Sequence, residues 1–379
     1  MPPLSLLIKP ASGNCNMRCK YCFYVDEMEH REVANHGIMS EDTLYMVLKR
    51  SFDYVEDFCT IAFQGGEPTL AGLPYFKKMV EYVEELNVNQ CKVNFALQTN
   101  GYMLDEEWVD FFHQHEFLIG ISLDGIQAVH DQYRIDANGN GTFDTVMNSI
   151  ELLKKHQVEF NILTVVHRET AVNMNKIYNF YKRNGLRYQQ YIECLDPIGK
   201  PPGEEEYSLT PDLYGDFLVA SFKKWYRDMR EGKYVYNRFF ENLLGLLCRQ
   251  MPESCAMAGV CGRYLCIEAD GSAYPCDFYV LDEWKLGNLV EDSVDEINAR
   301  REELAFVQQS LPIPDECGQC KWYPLCRNGC RRNCEPTNEQ ERSRNYFCKS
   351  YQQFYEYAYP FLEELVQQFQ QGQQKQNQE

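Results

Sequence analysis

The chain has 379 residues, of which 37 are basic and 56 acidic, for a formal net charge of -19, and it carries 17 cysteines. Such an acidic balance argues against non-specific binding to nucleic acid or an anionic membrane, while the length allows one large domain or two to three smaller ones around a substantial core. No apolar stretch is long enough to span a bilayer, and the N-terminal MPPLSLLIKPAS lacks the basic n-region of a signal peptide. A cytoplasmic location is therefore expected, where so many cysteines point to metal rather than to disulfides.

Six segments rich in Ile, Val, Leu and Phe read as strands buried on both faces: Leu4–Lys9, Cys59–Gln64, Lys92–Thr99, Phe117–Asp124, Glu159–Val166 and Leu186–Glu193. Helical periodicity fills the intervals, over Ser40–Val55, Leu73–Leu86, Asp105–His115, Thr142–His156 and Thr170–Gly185. Ser40 suits an N-cap, and Gly185 suits the residue just past a helix end. Repeated β–α units predict a parallel sheet with right-handed crossovers, and six of them make an open, partial (β/α)6 TIM-like barrel within the α/β class. From Leu195 the segment LDPIGKPPGEEEYS reads as a loop. Helices are expected at Pro211–Arg230 and Val235–Gln250. After Cys255 the chain is cysteine-dense and loop-rich, with a hairpin turning at Asp270-Gly271. A helix over Tyr355–Gln370, which Pro360 would interrupt, leads to a polar, frayed tail. The implied organisation is a barrel over 1–195, a linker with helices over 196–254, a cysteine-rich domain over 255–350, and a terminal helix and tail over 351–379.

The stretch CNMRCKYCFY places Cys15, Cys19 and Cys22 directly after the first strand, the face of a β/α barrel where active sites assemble. A structural zinc takes four protein ligands. A cubane iron–sulfur cluster can be held by three thiolates, which leaves one iron open to a small molecule. Cys-x3-Cys-x2-Cys in this position resembles the radical S-adenosylmethionine superfamily. The resemblance implies that S-adenosylmethionine chelates the open iron and, on one-electron reduction, releases a 5′-deoxyadenosyl radical. Taken alone, the motif also fits a zinc site or clustered free thiols. In QGGEP, Gly65, Gly66 and Glu67 resemble the family's Gly-Gly-Glu motif, where the missing Cβ lets a ligand's amino group approach backbone carbonyls; a plain glycine turn is the alternative. By the same resemblance Tyr21 borders the adenine, Ser122 and Arg134 hold the ribose and carboxylate, and Leu195 joins these cofactor-binding positions. A capping serine and a surface arginine are the alternatives for Ser122 and Arg134.

The later cysteines, Cys261-x9-Gly271-x4-Cys276 and Cys317-x2-Cys320-x5-Cys326-x3-Cys330, followed after a gap by Cys348, resemble the SPASM extension of peptide-modifying members. A zinc ribbon is the weaker alternative. With Cys255 there are enough thiolates for two four-cysteine clusters, hence three [4Fe-4S] clusters in all. The resemblance implies one cluster on Cys255, Cys261, Cys276 and Cys330 and another on Cys317, Cys320, Cys326 and Cys348, although sequence alone leaves that pairing open. Cys59, Cys91, Cys194, Cys248, Cys266 and Cys334 read as non-ligands.

Over nearly its whole length, from IKPASGNCNMRCKYCFY through GISLDG to CGQCKWYPLCRNGCRRNC, the sequence closely resembles anaerobic sulfatase-maturating enzymes. That implies oxidation of a cysteine or serine, in a sulfatase motif Cys/Ser-x-Pro/Ala-x-Arg, to Cα-formylglycine. The implied route is Cβ hydrogen abstraction by the 5′-deoxyadenosyl radical, deprotonation by Asp277, and transfer of the remaining electron to an auxiliary cluster. An electron donor such as flavodoxin or ferredoxin is also implied. Asp277 could otherwise be a solvated carboxylate at a hairpin end. The competing readings are another SPASM peptide maturase, forming thioether or carbon–carbon crosslinks, and a non-catalytic multi-cluster electron carrier.

Overall fold

A computed structural model of the chain describes residues 3–335 and 342–376, with side chains to residue 371. Six strands form the barrel sheet: β1 (Leu4–Ile8), β2 (Phe58–Phe63), β3 (Lys92–Thr99), β4 (Leu118–Ser122), β5 (Phe160–Val166) and β6 (Tyr188–Glu193). Each pairs in parallel with the next. Leu6, Ile8, Ile61, Phe63, Ile119 and Ile162 are buried in one core with the crossover helices, as continuous apolar strands covered on both faces require.

The helix over Glu41–Phe52 starts as its sequence predicts, with Ser40 Oγ accepting the Thr43 amide at 3.0 Å. The expected helix over Thr170–Gly185 is instead two, Arg168–Val172 and Met174–Arg183, broken at Asn173. There Asn173 Nδ2 bonds the Glu169 carbonyl (3.0 Å), the local competition with backbone that makes Asn a poor helix-interior residue. Gly185 takes φ 68, as a residue past a helix end does.

The sheet does not stop at six strands. β7 (Tyr236–Asn237) joins β6 in parallel, and β8 (Leu265–Ile267) joins β1 in parallel on the other side. β9 (Ser272–Tyr274) and β10 (Gly287–Asn288) continue antiparallel, giving the order β10-β9-β8-β1-β2-β3-β4-β5-β6-β7. The β8–β9 hairpin turns through Asp270 and Gly271, and Gly271 has φ 87. Main-chain hydrogen bonds thus carry the sheet from the barrel into the cysteine-rich segment.

Residues 196–254 carry two longer helices, Pro211–Arg230 as expected and Arg238–Leu247, shorter than the expected Val235–Gln250. The Pro211–Arg230 helix packs along the terminal helix, and Trp225, Phe222, Phe240, Phe354 and Leu362 form a second core. That terminal helix runs unbroken from Cys348 to Gln376. Pro360 does not interrupt it: the proline removes one amide donor, but Ala358 and Leu362 on either side are fully buried. The polar stretch expected to fray is helical as far as Gln376; residues 377–379 lie outside the described residues, as do Met1 and Pro2. Among the described residues no helix is long and apolar enough to cross a membrane.

Candidate active site and thiol-lined cavities

Cys15, Cys19 and Cys22 stand on the loop after β1, and Cys22 is the N-cap of the Phe23–Glu29 helix. They line a cavity of about 190 Å³ together with Tyr21, Gly65, Gly66, Glu67, Ser122, Arg134 and Leu195. All the cofactor-binding candidates therefore face one space with the three thiols. Burial pushes the Cys15 thiol up to about 11 and the Cys19 thiol up to about 12. Few charges compensate a thiolate here: Arg134 Nη1 comes within 3.9 Å of Cys19 Sγ, and Asn100 Nδ2 within 3.6 Å of Cys15 Sγ. Thiolates at this site need a metal to replace their protons.

Opposite the thiols, the β2 loop turns through Gly65 (φ 84) and Gly66 (φ 44). A Cβ on Gly66 would sit 2.1 Å from the Asn14 carbonyl oxygen, and one on Gly65 2.6 Å from Lys9 side-chain atoms. Only glycine lets this loop pass so close to the cysteine loop. Glu67 is buried and ties its own loop to the one after β3. Its Oε1 accepts from the Thr69 amide (3.0 Å), Thr69 Oγ1 (2.7 Å) and Thr99 Oγ1 (2.8 Å), and its Oε2 from the Asn100 amide (2.7 Å). These four bonds fix the carboxylate in the cavity wall.

Arg134 is aimed by a residue that the sequence reading did not single out, Asp124. Asp124 Oδ2 accepts from Arg134 Nε at 2.8 Å and from the Tyr21 hydroxyl, and Oδ1 accepts the Val165 amide at 2.9 Å. Burial works against its charge, but Arg134 and His167 outweigh that and hold its carboxyl far below the usual range. The signal was present in SLDG: a carboxylate at the end of a barrel strand.

Two smaller cavities hold the remaining candidate ligands. One, of about 60 Å³, is lined by Cys255, Cys261, Cys276 and Cys330. The other, of about 40 Å³, is lined by Cys317, Cys320, Cys326 and Cys348. The structure thus gathers the eight thiols into two interleaved fours. Among the described residues no disulfide joins any of the cysteines. Among the described residues the thiols do not converge as a single-ion site would; they stand around voids, and an all-sulfur donor set about a void fits a polynuclear iron–sulfur cluster. The other six cysteines line neither of these two cavities. Cys334 Sγ donates to the Asn328 and Cys330 carbonyls (3.0 and 3.1 Å). Cys59, Cys91, Cys194 and Cys266 are buried, with Cys194 on the wall of the first cavity, and Cys248 is exposed.

Asp277 is no solvated hairpin carboxylate, being only 5 % exposed. Its Oδ2 accepts from the Tyr24 hydroxyl (2.7 Å) and Gln64 Nε2 (3.0 Å), and the Cys266 thiol lies 3.7 Å from Oδ1. Tyr24 and Gln64 both line the first cavity, so the carboxylate stands one hydrogen bond behind its wall. Burial pushes the carboxyl upward, and the nearby Lys9 ammonium opposes that shift. Lys9 is itself 1 % exposed and lies 3.5 Å from Glu268 Oε2. Tyr24, Gln64 and Lys9 were visible in the motif stretches but carried no pattern of their own.

A family model described as "Radical SAM superfamily" matches residues 10–181, and one described as "Iron-sulfur cluster-binding domain", SPASM, matches residues 255–321. The chain is 45% identical to a cysteine-type anaerobic sulfatase-maturating enzyme of Clostridium novyi over 94% of this chain and 95% of that protein. It is 30% identical to a serine-type anaerobic sulfatase-maturating enzyme of Bacteroides thetaiotaomicron, over 95% and 91%. A solved structure of native anSMEcpe with bound AdoMet and Cp18Cys peptide superposes with a TM-score of 0.92 at 42% identity, covering 97% of this chain and 100% of that one.

Proposed function

Since the chain belongs to the anaerobic sulfatase-maturating enzymes, a radical S-adenosylmethionine family with a SPASM domain, we propose that it oxidises a cysteine of a sulfatase polypeptide to Cα-formylglycine (3-oxoalanine). The observation that carries this reading is the meeting, at one cavity, of the three thiols, the Gly65-Gly66 loop and, one hydrogen bond behind the wall, the buried carboxylate of Asp277. The preference for cysteine over serine rests on identity: 45% to the cysteine-type relative against 30% to the serine-type one.

When bound, S-adenosylmethionine and three [4Fe-4S] clusters supply the one-electron chemistry, removing a Cβ hydrogen atom and accepting the last electron. Cys15, Cys19 and Cys22 would hold the first cluster. The two fours, Cys255 with Cys261, Cys276 and Cys330, and Cys317 with Cys320, Cys326 and Cys348, would hold the others. Tyr21, Gly65, Gly66, Ser122, Arg134 and Leu195 surround the cosubstrate, with Glu67 fixing the glycine loop. Arg134, whose Nε is held by Asp124, keeps its terminal N–H edge for a carboxylate. Asp277 takes the thiol proton, and the resulting thioaldehyde exchanges its sulfur for the oxygen of water, releasing hydrogen sulfide, to give the aldehyde. An upward-shifted carboxyl is a stronger base than an ordinary one, and Tyr24 and Gln64, which line the cavity, link it to that space by one hydrogen bond each. The substrate would carry the motif Cys-x-Pro/Ala-x-Arg. Its partner in reduction would be a flavodoxin or ferredoxin, in the cytoplasm, without nucleic acid.

The test is mass spectrometry of a motif peptide after anaerobic incubation of reduced, cluster-loaded protein with S-adenosylmethionine. A cysteine converted to formylglycine lowers the peptide mass by about 18 Da and a serine by about 2 Da. A crosslinked product would replace this reading with that of another peptide maturase, and absence of 5′-deoxyadenosine would remove the enzyme reading altogether.

A further inference from the structure

A separate cavity of about 90 Å³ opens between β6, the Pro211–Arg230 and Arg238–Leu247 helices and the first turns of the terminal helix. It shares Glu193 with the three-thiol cavity and Cys326 with a four-thiol cavity. Aromatic rings stand along its walls, among them Tyr191, Tyr214, Phe217, Phe239, Tyr351 and Tyr355. Two charged residues line it, Glu193 and Arg238. Arg238 has a counterion, Glu253, at 3.4 Å. Glu193 is partly buried and has no cationic partner among the described residues. Its Oε1 accepts two neutral donors, the hydroxyls of Tyr214 and Tyr351, each at 2.8 Å. Those bonds fix the carboxylate and leave Oε2 without a protein donor among the described residues.

A carboxylate locked by hydroxyls, uncompensated, and set among aromatic rings is a receptor for a cation. Guanidinium suits it best, since its plane stacks on rings while its edge pairs with a carboxylate. We propose that Glu193 and this aromatic surround bind the arginine side chain of the substrate polypeptide. The proposal rests on the reading above, in which that arginine lies four residues after the reacting cysteine. Four extended residues span about 13 Å, and Glu193 borders both the cavity of the reaction and the aromatic one. The arginine would then fix the register of the polypeptide, so that the cysteine rather than a neighbour faces the reacting space.

The test is a two-by-two kinetic cycle on cluster-loaded enzyme: wild type and Glu193→Gln, each with a motif peptide carrying arginine or its neutral isostere citrulline. For wild type, citrulline should raise KM by about 10- to 100-fold with kcat changed much less. Glu193→Gln should raise KM for the arginine peptide by a similar factor. For the citrulline peptide it should add little, because the pair is already broken. Glu193→Asp, which keeps the charge, should restore part of the discrimination between the two peptides, a response that a merely structural glutamate would not give. Iron content and circular dichroism monitor folding; were Glu193→Gln to lose them, Glu193→Asp takes its place in the cycle, with an arginine-to-citrulline discrimination smaller than in wild type expected and an unchanged one overturning the assignment. Independent, multiplying effects of the two changes, or an unchanged KM in Glu193→Gln, would overturn the assignment of Glu193 alone. Failure of wild type to form formylglycine from the arginine peptide would instead overturn the function, and this inference with it.

Discussion

Cys15, Cys19 and Cys22 occupy one loop beside one strand, whereas Cys255, Cys261, Cys276 and Cys330 come together only when distant segments fold around a void. Cys317, Cys320 and Cys326 fall between Cys276 and Cys330 in sequence, yet with Cys348 they line a different void. The first site is set by local chain geometry and the other two by tertiary structure. Their separation predicts that the first can be lost without the others. Replacing all three of Cys15, Cys19 and Cys22 by alanine should abolish 5′-deoxyadenosine formation. Iron should fall from about 12 to about 8 per chain, because two four-iron sites remain. Iron falling to zero would mean that the regions assemble as one unit. Continued cleavage of S-adenosylmethionine would place the radical chemistry elsewhere.

The same contrast explains what could be read from the sequence. The six barrel strands follow from apolar runs, and the three-thiol loop follows from spacing and its place after β1. The pairing of β8 with β1 did not follow, because β8 is three residues long and its partner is chosen by tertiary packing. Asp124 was missed because its role depends on Arg134, Tyr21 and His167 converging on it, a fact of packing and not of spacing. Burial of Asp277 was equally invisible. A carboxylate at a hairpin end reads as exposed until the neighbouring sheet covers it.

Asp277 lies at the seam between the two regions. It follows Cys276 of the cysteine-rich region and accepts its hydrogen bonds from Tyr24 and Gln64 of the barrel. Asp277→Asn keeps the shape and removes the basic oxygen. Formylglycine yield should fall by a factor of about a hundred to ten thousand, while all three clusters and peptide-dependent cleavage of S-adenosylmethionine persist. A near-normal yield would assign the proton to another base.

Gly66→Ala probes the local site more gently. The new Cβ would meet the Asn14 carbonyl oxygen at 2.1 Å, at φ 44. Left-handed backbone alone costs a non-glycine residue about 1–2 kcal/mol, so affinity for S-adenosylmethionine should drop by about tenfold or more as the loop moves. The auxiliary clusters should be untouched. Isothermal titration of the cosubstrate and iron content together check this. A change in auxiliary iron with unchanged cosubstrate affinity would mean that the glycine loop serves the auxiliary sites instead.

The smallest expected effect is a displaced pH profile, and it concerns Lys9, which leads from the end of β1 into the seam. Burial raises the Asp277 carboxyl and Lys9 opposes the rise. A base must be deprotonated to act, so oxidation of the peptide should fail on the acid side as pH drops through the raised value, above the range of an ordinary carboxylate. Lys9→Met preserves length and apolar contact but removes the opposing charge. The Asp277 carboxyl should then rise further, and the acid limb of formylglycine formation should move to higher pH. Glu268 remains partnered after this change, because Arg31 Nη1 holds its Oε2 at 2.7 Å, which limits the damage to folding. Cleavage of S-adenosylmethionine without peptide does not use this proton, so its pH dependence should stay where it is. An acid limb that stays still or moves to lower pH in Lys9→Met would mean that Asp277 does not set it. A parallel shift in peptide-free cleavage would trace the effect to the cluster loop instead of the base.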